Sequence, residues 1–121
     1  NPAIYVIHQL EPILMLMGYN VDKVMFLDNP ETPSWVLHFD DGRIATMAMF
    51  KGSPVSLKIC HGATEETIVV NDEFFLNLMG AIVEMFETGK QPIEHEDTIK
   101  IMAVREICVK AMEKPLTWFE V

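Results

Sequence analysis

Two cysteines in 121 residues are too few for a disulfide framework. Cys60 and Cys108 have apolar neighbours, no C-x-x-C partner and no adjacent base. Both read as packing residues, and the usage points to a reducing cytoplasm. Positive charge is also scarce: nine Lys and Arg against eighteen Asp and Glu leave a net charge of −9. No Arg/Lys stripe offsets that balance, which excludes a nucleic-acid phosphate backbone as partner. Residues 65–121 carry twelve of the acids against five basic residues, a pattern expected of solvated helix faces. No apolar run reaches the length of a membrane span and no basic-then-apolar leader is present, so no membrane partner and a soluble, cytoplasmic chain are expected. G-x-G-x-x-G, G-x-x-x-x-G-K-[ST] and G-x-S-x-G are all missing. No phosphate cradle and no nucleophile elbow can therefore be assigned.

What is present is core. Half of the residues are hydrophobic, nine of them Met, and 22% are charged, which fits a single folded domain over residues 1–121. Asn1-Pro2 is a helix start, a capping oxygen followed by a proline where the missing N–H is harmless. The helix should reach Met17, with Gly18 as a left-handed stop. VDKVMFLD (21–28) reads as a strand. WVLHFDDGRIATMAMF (35–50) reads as a hairpin around Asp40-Asp41-Gly42, whose Asp-Gly supplies the positive φ angles of a tight turn. VSLKIC (55–60) and ETIVV (66–70) continue it as a meander. Asn71 is placed to cap a helix over 72–88, in which Phe75, Met79, Ile82, Val83 and Phe86 recur at helical spacing. A second helix over about 95–113 carries the stripe Ile101, Val104, Cys108, Ala111, and WFEV (118–121) forms a short last strand.

This order predicts an α+β fold: an antiparallel sheet, a meander with a final short strand, covered by helices on one face. In IATMAMF (44–50) both alternating sets are apolar, and VMFL (24–27) behaves alike. Such strands need cover on both faces, and the helices available suffice for one. The other face is therefore expected to be available for dimerisation, covered by the sheet of another subunit in a homo-oligomer.

The chemistry concentrates near the start. His8 and Glu11, three apart, are neighbours on one helix face. Pro12 cannot donate the backbone bond that the His8 carbonyl would accept, so a kink is expected beside the imidazole. A histidine next to a carboxylate can transfer a proton near neutral pH. The same pair can equally be a structural histidine satisfied by Glu11. His-x-x-Glu lacks a third ligand at helical spacing, and His38, His61 and His95 lie in other elements, so no metal is expected. EHED (94–97) reads as an acidic helix start.

HQLEPILMLMG (8–18) resembles the helix carrying the H-x-x-D/E signature in the C-terminal domain of the glucose–fructose oxidoreductase / inositol dehydrogenase family (Gfo/Idh/MocA). MFETGKQPIEHEDTIKIMAVREICVKAMEKPLTWFEV (85–121) is similar to that family's ending: Phe-x-x-Gly-Lys-x-Pro, an acidic helix start, an Ala-containing helix and a Trp-containing strand. The resemblance implies the C-terminal substrate-binding and oligomerisation part of a longer oxidoreductase, whose N-terminal Rossmann domain binds NAD or NADP and is not among these residues. No cofactor is expected on this segment alone. The substrate implied is a sugar, polyol or related hydroxy compound, with the sheet face as subunit interface. His8 falls on the family's catalytic histidine. Where many members carry Asp four residues earlier, this chain has Ile4, which leaves Tyr5 or Glu11 to orient the imidazole or bind substrate. Glu113-Lys114-Pro115 matches the family's lysine motif in letters but lacks its strand context. The alternative reading is a non-catalytic dimerisation or ligand-binding module with a structural His8–Glu11 pair.

Overall fold

A computed structural model describes residues 1–70 and 73–121. The elements are α1 (Pro2–Met17), β1 (Val21–Leu27), β2 (Ser34–Phe39), β3 (Ile44–Ala48), β4 (Ser56–His61), β5 (Thr64–Val69), α2 (Phe74–Thr88), α3 (His95–Ala111) and β6 (Trp118–Glu120). The fold is α+β, as expected. The chain divides into two units, Asn1–Lys51 with His95–Val121, and Gly52–Glu94.

In the first unit four antiparallel strands lie in the order β3-β2-β1-β6. Strand alternation sends Val24 and Phe26, Trp35, Leu37 and Phe39, and Met47 to one face, where all are buried. Val6, Leu10 and Leu14 of α1 pack there, as do Ile101, Val104, Cys108 and Ala111 of α3. The stripe expected on α3 is the buried one, residue for residue. Within this unit α1 and α3 thus cover the same face of the sheet. The other face carries Met25, Leu27, Val36 and Ala48, all half-buried, with Ile44 and Trp118 at 59% and 42% exposure.

The ends of α1 are accounted for. The Asn1 side chain accepts from the Ala3 N–H at 3.1 Å, and the Asn1 carbonyl accepts from Ile4 and Tyr5. Gly18 has φ 87° and ψ 172°. The positive φ was expected, but this is not the left-handed helical cap: the chain leaves extended, in a region open essentially to glycine alone. Arg43 donates to the Met17 carbonyl at 2.7 Å, a cation on the negative end of α1. Its backbone N–H also donates to Asp41, which holds that exposed carboxyl below its ordinary range, and its Nε bonds the same carboxylate.

The β2–β3 hairpin turns as anticipated, with one difference. Gly42 N–H donates to Phe39 O and Phe39 N–H to Arg43 O, both at 2.9 Å, which closes a three-residue loop. Only Gly42 has positive φ (88°), so Asp41 is not forced into the left-handed region.

In the second unit β4 and β5 pair in register from Ser56↔Val69 to His61↔Thr64. They form their own two-stranded sheet, so the expected meander stops at β3. Among the described residues of this unit none is fully buried. α2 forms where its periodicity placed it, yet Phe75, Met79, Val83 and Phe86 are 52–79% exposed. The cap expected of Asn71 lies outside the described residues.

The two thiols part company. Cys108 is buried, and burial pushes its thiol up to about 12; Cys60 is exposed on β4, which corrects the reading of it as a packing residue. The sequence around Cys60 alternates as a half-buried strand, and β4 turns out to have little to bury against. Alkylation of the native chain is expected to mark Cys60 alone, and both thiols in denaturant. Mass spectrometry reads the count, and a native chain labelled twice would contradict the packing around Cys108.

Candidate functional site

The inward row of α1 is Val6, Leu10 and Leu14, each at 0% exposure. His8 lies two residues from both Val6 and Leu10, or about 200° around the helix, and its side chain is exposed. Tyr5, at i−3, is 59% exposed, and its ring centroid stands 6.1 Å from that of His8 with the planes tilted by 44°. The structure therefore brings Tyr5 and His8 together on the solvent side of α1. Glu11 is half-buried one turn further on, and among the described residues no hydrogen bond joins it to His8. Pro12 lies inside α1, which is assigned as helix from Pro2 to Met17 without a break. Pro12 still lacks the N–H that the His8 carbonyl would accept.

The platform under these side chains is anchored at several points. Arg105 of α3 donates to the Ala3 carbonyl at 2.9 Å, and Gln9 Nε2 donates to Ala48 O of β3 at 3.0 Å. Gln9 Oε1 is buried without a hydrogen-bond partner among the described residues. A depression of about 600 Å³ on α3 is lined by Thr98, Ile99, Met102, Ala103, Arg105 and Glu106. Tyr5, His8 and Glu11 do not line it, so the exposed histidine and this hollow are separate features.

A second histidine is better partnered than His8, and sequence reasoning passed over it. His38 Nδ1 lies 2.7 Å from Asp22 Oδ1 on the sheet face opposite α1 and α3. The cause is a β-bulge: the register steps from Val21↔Phe39 to Lys23↔His38, so Asp22 and Lys23 together oppose His38. Val21 and Val24 both point to the core as a result, while Asp22 and Lys23 both point away. Two adjacent polar residues between two valines break the strict alternation, and that was the available signal. Trp118 of β6 stands edge-on to His38 at 6.3 Å between centroids, and Lys23 Nζ lies 5.3 Å from the centre of the Trp118 ring.

Among the described residues, no group of three or more His, Cys, Asp and Glu side chains could hold a metal ion. The described residues do not fit a dinucleotide either, because both sheets are wholly antiparallel and offer no βαβ crossover with a glycine-rich turn. No helix among the described residues is long and apolar enough to cross a membrane. No family model, curated protein or solved structure matches the chain.

Proposed function

We propose that the chain is the substrate-binding and oligomerisation portion of an NAD(P)-dependent oxidoreductase acting on a sugar, polyol or related hydroxy compound, in the cytoplasm. The reading begins from the likeness of residues 8–18 and 85–121 to the Gfo/Idh/MocA family. The observation that carries it is the exposed imidazole of His8 beside the Tyr5 phenol on an anchored helix. A proton acceptor serves a substrate only where substrate can reach it, and a rigid element holds it better than a loop. In this reading His8 takes the proton of the reacting hydroxyl, and Tyr5, the side chain beside it, contacts the substrate and positions the imidazole. Glu11 makes no hydrogen bond to His8 among the described residues and has no part in the proposed machinery.

NAD(P) supplies the hydride chemistry of such enzymes. Because the residues described do not fit it, its binding is assigned to other polypeptide and no step is drawn through it. The sheet face opposite α1 and α3 is assigned to a second copy of the chain. A chain of net charge −9 repels its copies, and Met25, Leu27, Val36, Ile44, Ala48 and Trp118 offer an uncharged surface on which they can meet.

In the intact enzyme, His8→Ala is expected to lower turnover of a polyol about a hundredfold or more, the usual worth of a positioned acid–base group. The circular dichroism spectrum and melting point should stay near wild type, since the side chain is exposed. Turnover within a few-fold of wild type would remove His8 from the mechanism. It would favour the non-catalytic module, which needs only the sheet face.

A further inference from the structure

Pro12 sits inside α1, where an interior proline is costly, and the proton transfer assigned to His8 gives it no task. We infer that Pro12 frees the His8 main-chain carbonyl to accept a second hydroxyl of the substrate, so that the site selects a diol over a compound with a single hydroxyl; the inference deepens the reading of His8 as proton acceptor and rests on it. In an α-helix that carbonyl accepts from the N–H four residues further on, and a proline there has none. Residue 12 lies only about 40° around the helix from residue 8, so the missing bond falls on the same side as the imidazole. Val6, Leu10 and Leu14 mark the opposite, buried side. Carbonyls on the solvent side of a helix tilt outward, toward whatever can donate to them.

The rest of this side offers a substrate little else to hydrogen-bond. The outward positions 4, 5, 8, 12, 15 and 16 carry two polar side chains, the Tyr5 phenol and the His8 imidazole. Ile4, Met15 and Leu16 are apolar and 54–66% exposed, and Pro12 is half-buried. Apolar surface with a few converging polar groups is the ordinary make-up of a small-molecule site. Side chains on a helix lean toward its N-terminus, and carbonyls point toward its C-terminus. The imidazole accordingly stands by Tyr5, while the carbonyl of the same residue opens toward Pro12. One residue thus presents two acceptors in line. The neutral ring nitrogen takes the proton of the reacting hydroxyl. The carbonyl only accepts, so a donor must face it, and a neighbouring hydroxyl is that donor. An ether oxygen, a ketone or a C–H in its place would leave the carbonyl unpaired in a closed site, and sites that bond a substrate hydroxyl reject the analogue lacking it for this reason.

Pro12→Ala in the intact enzyme restores the missing N–H and tests this assignment. The amide introduced at position 12 should exchange slowly with deuterium, and the melting temperature should rise, because the helix gains a bond and loses a proline. Steady-state kinetics use whichever of D-glucose, D-sorbitol and myo-inositol wild type oxidises fastest, beside its analogue lacking the hydroxyl next to the reacting carbon. Wild type is expected to favour the parent compound about tenfold or more in kcat/KM. Pro12→Ala should lose most of that preference, chiefly by losing activity on the parent. A higher melting temperature with the preference unaltered would make Pro12 purely structural and overturn the role of the carbonyl alone. So would a position-12 amide that exchanges freely, since the carbonyl would then not be the group the proline releases. His8→Ala keeps the main-chain carbonyl and separates the two claims. If that variant turns over near the wild-type rate, or if wild type oxidises none of the three polyols, the reading of His8 falls and the diol preference with it.

Discussion

Replacing Trp35 by alanine is expected to destabilise the chain by about 3–5 kcal/mol, enough to consume much of the stability of an ordinary domain. Trp35 is at 0% exposure in the middle of the first unit's core, with its ring centroid 5.0 Å from that of Phe26. Its indole N–H donates to the Cys108 carbonyl at 2.9 Å. That bond completes the end of α3. The last four carbonyls of a helix have no partner within it. Here Val109, Lys110 and Ala111 accept from Met112, Glu113 and Lys114, and Cys108 accepts from Trp35. Alanine would leave both a cavity and a buried carbonyl without its indole donor. Trp35→Phe keeps much of the volume and loses the donor, so it should cost less, about 1–3 kcal/mol. Urea unfolding followed by circular dichroism measures both, and an alanine variant within 1 kcal/mol of wild type, on the order of a surface substitution, would refute this account of the core.

Alkaline pH should destabilise the chain through Cys108. Burial raises this thiol from 9.0 to about 12, so the native state keeps its proton where the unfolded chain releases it. The sign follows from linkage: below the unfolded value both states are protonated and nothing changes, and as pH rises toward the native value the unfolded state gains. The window is therefore about pH 9 to about 12, at about 1.4 kcal/mol per pH unit, for a total on the order of 4 kcal/mol. Tyr and Lys also titrate there, so the informative quantity is a difference. Cys108→Ala is expected to start less stable at neutral pH, because it empties part of a packed site, yet to lose stability less steeply above pH 9, roughly where a free thiol ionises. Parallel slopes for the two proteins would place the thiol in contact with water.

Much of the first unit could be read from residues alone, and the reasons are local. Asn1-Pro2 and Gly42 act within a turn of themselves, and the α3 stripe is a period that any covering sheet would satisfy. Tyr5 and His8 meet because i and i+3 share a helix face. What escaped was set by partners distant in sequence. Alternation marks 55–60 and 66–70 as strands but says nothing of which strand each joins, so the separate β4–β5 sheet was not visible. The same limit hid the exposure of Cys60 and of the α2 stripe. For His8 and Glu11, spacing permits a contact without requiring one, and the side chains do not take it. The His38–Asp22 pair depends on a bulge that shifts one strand against another, and only a departure from strict alternation announced it.

The insertion of Gly52–Glu94 between the two segments of the first unit has a kinetic consequence. Trp35 must find the carbonyl of a residue 73 positions later, and Ala3 is reached by an arginine 102 positions away. A nascent chain emerging from the ribosome therefore holds α1 and three paired strands with half their hydrophobic layer still to be synthesised. Closing so long a loop comes late and slowly, and until then the uncapped sheet is the species most exposed to aggregation and to chaperone capture.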